Sequence, residues 1–181
     1  AVAPKLEALR VQGQADNYDQ VPLAARRLGM PFLNIHCPLD EMGRRVIQQA
    51  VDETLAADGD ATLADVAAAL AALPPARRAE TEVRIILGQP NARAGRVVVA
   101  HGAYTNGGEH VARAYYAHGV DTVIYIHVSP GAAASLRADG RGQLIVAGHL
   151  VGDACGIEPY IDRLRTRGLE VDVLSHVLSG P

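Results

Sequence analysis

Six side chains in this sequence have the types and spacing to hold a metal ion. His36 and Asp40 stand four residues apart in "NIHCPLDEM", and His149 and Asp153 repeat that spacing in "VAGHLVGDACG". His101 follows the apolar run "RVVVA", and His127 follows "TVIYI". Neutral imidazole and carboxylate are donors that suit Zn, Mn, Fe or Co. A thiolate site needs more sulfur than Cys37 and Cys155 supply. The two His-x-x-x-Asp pairs are expected to be halves of one centre that holds a divalent transition metal, one ion or two. Two ions about 3.5–4 Å apart lower the pKa of a bridging water and provide a nucleophile near neutral pH.

Each residue also has a plainer role. A single histidine at a strand end is more often hydrogen-bonded than ligating. Asp153 is placed to cap a helix starting at Gly156, and Asp40 to cap its own. Both cysteines read as small buried residues. His110, His118 and His176 carry no assignment. The shared placement is what favours a site: four histidines close four predicted strands, and two carboxylates accompany them.

Those strands and the helices between them follow from periodicity. The segment from Asp19 has helical spacing, with Gly29 as its C-terminal signal. "PFLNIH" reads as a short buried strand. After Pro38 a helix is expected through "LDEMGRRVIQQAVDETLAADG", with Met42, Val46, Ile47, Ala50, Val51 and Leu55 on one face. Thr62 and Asp65 open a further helix in a capping-box pattern, and Pro74-Pro75 stops it. "TEVRIILG" and "RVVVAHG" read as a hairpin with a long loop. A helix over "NGGEHVARAYYAHG" should turn Val111, Ala114 and Tyr115 inward. "VDTVIYIHVSP", "GAAASLRADG", "QLIVAGH", "GIEPYIDRLRTRG" and "LEVDVLSHV" then alternate strand and helix, and residues 5–11 form a weak helix or loop. Near-continuous apolar strands alternating with helices define an α/β fold, a mainly parallel or mixed sheet with helices on both faces. In such sheets ligands sit beyond the carboxyl ends of the strands.

The totals narrow the class. A chain of 181 residues suggests one α/β domain over 1–181, with a first strand-helix unit at 1–57, a helical tether at 58–80 and a βαβ core at 81–181. The formal charge of −3 gives no general pull toward nucleic acid or anionic membrane. No apolar run is long enough for a membrane span, and no signal peptide is seen, so a cytoplasmic protein is expected. "GAYTNGG" lies between a strand and a helix but lacks the Lys-Ser/Thr of a phosphate-binding loop.

These segments resemble the NGG-interacting-factor-three-like family, also called homologues of GTP cyclohydrolase I type 2. "PFLNIHCPLDEMGRR" is similar to its early His and Leu-Asp motif. "RVVVAHGAYTNGGEHVARAYYAHGVDTVIYIH" is similar to its strand, glycine turn, helix and strand. "IVAGHLVGDACGIEPYIDRL" is similar to its late Gly-His motif, and the match runs over most of the chain from about Pro31. The resemblance implies a two-metal centre in a Nif-three-like fold, and a homo-oligomer built from dimers up to a hexamer. It implies Asp40, His149 and Asp153 as metal ligands, with His36 beside the metals. The chain departs from the family pattern at four points. Asp153 replaces a glutamate, and the family's upstream His-His pair has no counterpart. His101 replaces a glycine, and Tyr125-Ile126-His127 replaces a Thr-Gly-Glu segment. A rebuilt or partial site is the leading expectation, with His101 as a further ligand and His36 and His127 as catalytic groups or proton shuttles; the alternatives are that a segment upstream of Ala1 carries the remaining ligands, or that metal binding is lost. The expected activity is metal-dependent hydrolysis of a small molecule, with nucleotides among the candidates. The alternative is a non-catalytic metal-binding or regulatory module.

Overall fold

A computed structural model of the chain describes residues 20–102 and 107–174. The first of its two compact units, Ala1–Ile35, contributes one described helix, α1 (Gln20–Arg27). Gly29 follows it with φ +66°, the left-handed conformation that ends a helix and that glycine adopts without steric cost. Residues 30–36 carry no strand, and Phe32 and Leu33 are exposed, so the buried strand expected over "PFLNIH" does not form.

The second unit, His36–Pro181, holds the remaining elements of the described residues. They are α2 (Cys37–Ala57), α3 (Leu63–Ala71), α4 (Pro74–Arg78), β1 (Arg84–Leu87) and β2 (Val97–Val99). There follow α5 (Glu109–Ala117), β3 (Thr122–Tyr125), α6 (Pro130–Asp139), β4 (Gln143–Val146) and α7 (His149–Thr166). The four strands form one sheet in the order β1-β4-β3-β2. β2 pairs parallel to β3, and β3 parallel to β4, whereas β1 lies antiparallel at the edge beside β4. The sheet is thus mixed, with a parallel core.

The hairpin expected between β1 and β2 is absent, because these strands occupy opposite edges. The connecting loop finds its backbone partners elsewhere. Leu63 N donates to Ala92 O at 2.9 Å, Ala64 N to Pro90 O at 2.9 Å, and Ala94 N to Ala61 O at 2.9 Å. The segment leading into α3 therefore satisfies polar groups that a hairpin would have paired.

Strand alternation splits the core between the two faces. On one face Val99, Ile124 and Ile145 pack with Ile47 and Val51 of α2, Val66 of α3 and Val151 of α7. On the other, Val123, Tyr125 and Leu144 pack with Ala112 of α5 and Leu136 of α6. Helices therefore cover both faces. Burying each such aliphatic side chain contributes about 1.5–3 kcal/mol before the entropy of ordering it is subtracted. In α5 the buried residue is Ala112 rather than the expected Ala114, which is exposed.

Two further boundaries differ from expectation. Pro74 and Pro75 open the short helix α4 as well as ending α3, since proline suits the first turn, where its missing N–H is no loss. Residues 169–174 carry no strand. The rest of the expected final strand, with His176, lies outside the described residues, as do residues 5–11 and most of "GAYTNGG". No helix among the described residues is long and apolar enough to cross a membrane.

Candidate metal centre

Three parallel strands end side by side. Val99 is in register with Ile124, and Ile124 with Ile145. Past those ends the backbone stays paired for a step: Ala100 N donates to Ile124 O at 2.9 Å, and Ala147 N to Tyr125 O at 2.8 Å. His101 follows Ala100 directly, and His127 and His149 follow Tyr125 and Ala147 after one intervening residue. The carboxyl edge of the sheet thus gathers three histidines from separate parts of the sequence.

Two helices bring the carboxylates. α2 begins at Cys37, with His36 at its N-cap and Asp40 in its first turn. α7 begins at His149, with Gly148 at its N-cap and φ +103°. Asp153 is therefore one turn inside α7 and is not the cap of a helix starting at Gly156. The spacing of four places each histidine over its aspartate on one helix face. His36 Nε2 lies 3.3 Å from Asp40 Oδ2, and His149 Nε2 lies 3.8 Å from Asp153 Oδ2.

Glycines let the two helices come close. A Cβ at Gly43 would collide with the carbonyl oxygen of Gly152, and one at Gly156 with the carbonyl oxygen of Leu39. The same absent side chains leave room for an imidazole. Cβ atoms at Gly43 and at Gly152 would each lie 3.1 Å from His101 Nε2. His101 thus sits where α2 and α7 cross, beneath the end of β2. Sequence reasoning missed these glycines. The signal was present in Gly152-x-x-x-Gly156, two small residues one turn apart on a helix otherwise free to carry larger ones.

One donor atom each from Asp40, His101 and Asp153 lie within 4.8 Å of one another. Asp40 is 7 % exposed and His101 5 %. Neither ring nitrogen of His101 has a hydrogen-bond partner among the described residues. A buried imidazole without partners is costly, about 1–3 kcal/mol for each unsatisfied group, and calls for an explanation such as an ion. With two carboxylates within reach, the donor set fits a divalent transition metal.

The remaining two histidines frame the outer side. His127 stacks on His149 with ring centroids 4.8 Å apart and planes 6° from parallel. Gly107, at φ +78°, leaves space for His127, whose Nε2 would lie 2.9 Å from a Cβ there. Loss of hydration holds the His127 imidazole below its ordinary pKa; the neighbouring His149 adds to this and Asp153 opposes it. The hydroxyl of Tyr125 donates to Gly108 O at 2.7 Å, tying β3 to the start of α5 beside this pair. All six residues singled out from the sequence therefore meet in one place. Asp40, His101 and Asp153 form the inner group, and His36, His127 and His149 surround it.

Fold and site together define an α/β protein with a helix-framed cluster of imidazoles and carboxylates at the carboxyl edge of a parallel sheet core. A crystal structure of a NIF3 superfamily protein from Sphaerobacter thermophilus is similar to it, at 46% sequence identity and a TM-score of 0.82. The likeness covers 88% of this chain and 58% of that one, so the chain spans a little over half the length of that relative. No protein-family model matches the chain, nor does any curated protein. By sequence and fold, the chain belongs to the NIF3 superfamily.

Proposed function

We propose that the chain binds a divalent transition metal through Asp40, His101 and Asp153 and uses it to hydrolyse a small-molecule substrate. The observation that carries this reading is the buried His101, neither of whose ring nitrogens has a hydrogen-bond partner among the described residues, beside two carboxylates. A bound metal would supply a water activated near neutral pH and charge to stabilise a developing oxyanion. The chain's own residues would do the rest. His149 and His127, stacked on the outer side, would accept or return a proton from a substrate, and His36 would steady Asp40. Nucleotides belong among the first substrates to assay. The resemblance also supports a homo-oligomer built from dimers, which sedimentation tests directly.

Metal analysis after purification without chelators or affinity tags tests the reading. Stoichiometric Zn, Mn, Fe or Co is expected, bound as purified or taken up on titration. Less than about a tenth of an equivalent with no uptake would refute it, since a real site of this kind binds its metal when its ligands are deprotonated. Hydrolysis of phosphoesters and nucleotides in the presence of that metal then separates an enzyme from a binding module.

A further inference from the structure

We draw no further inference here: the strongest candidate, the cavity of about 840 Å³ between the C-terminal ends of α5 and α6 where β3 and β4 begin, carries nothing because Arg113 is already held there by Asp139 and Ser135, Asp121 and Arg141 are exposed and opposite in charge, and no buried, unpartnered polar side chain among the described residues lines it to select a ligand.

Discussion

At the scale of single residues, glycines make the site possible by what they lack. Gly152 is flanked by the Ile126 side chain and by His101 Nε2, and a methyl group there would press on both. Gly152→Ala should therefore cost about 1–3 kcal/mol in urea unfolding, the usual penalty of overpacking. It should also weaken metal uptake, because His101 must shift. Gly131, in α6, has open space around its Cβ direction, and Gly131→Ala should be neutral or stabilising by up to about 1 kcal/mol. Equal losses in both variants would mean that the close approach of α2 and α7 does not govern the site. The histidines and aspartates were legible in the sequence because their chemistry is distinctive and their strand-end positions recur. Which three form the inner group was not. That depends on Gly43, Gly152 and Gly156, whose meaning appears only when two helices distant in sequence are brought together.

At the scale of elements, local signals were read well and pairing was not. The Thr62-Asp65 capping box forms as its pattern implies. Asp65 N donates to Thr62 Oγ1 at 3.3 Å, and Thr62 N donates to Asp65 Oδ2 at 2.8 Å. The hydroxyl of Thr62, and then its backbone N–H, hold the Asp65 carboxyl below its ordinary pKa. Thr62→Ala should lower stability by about 1 kcal/mol, read as a fall in the urea midpoint with unchanged slope. A loss below a few tenths would show that the loop pairing of Ala61 and Leu63 alone fixes this end of α3. The start of α7 was misplaced because a glycine-rich stretch suggests a turn, yet Gly152 and Gly156 are helical where tight packing needs them. The false hairpin has a different cause. Neighbouring strands usually pair, but the loop after β1 found partners in the segment before α3, and β1 crossed to the far edge beside β4. No periodicity within either strand records that choice.

Over the whole molecule, a two-sided sheet with a parallel core was readable from near-continuous apolar strands. Its order was not, since every central strand has the same apolar signature. The two-core arrangement also has a consequence for alkaline stability. The face covered by α5 and α6 contains two phenols whose hydroxyls bond inward. Tyr125 donates to Gly108 O at 2.7 Å, and Tyr116 to Gln143 O at 2.8 Å. Burial pushes the Tyr116 pKa from 10.0 up to about 12, and burial also raises that of Tyr125. The folded chain keeps both protons at a pH where the unfolded chain releases them. The contribution is thus complete below pH 10 and is lost as pH rises toward 12 for Tyr116. Urea midpoints should fall steadily from pH 10 upward, with tyrosinate absorption near the unfolded level appearing only as the chain unfolds. Tyr116→Phe should begin less stable at pH 8, by about 1 kcal/mol for the lost hydrogen bond, yet decline less steeply with pH. If its slope matched that of the unmodified chain, the phenol of Tyr116 would not be the group that alkali attacks.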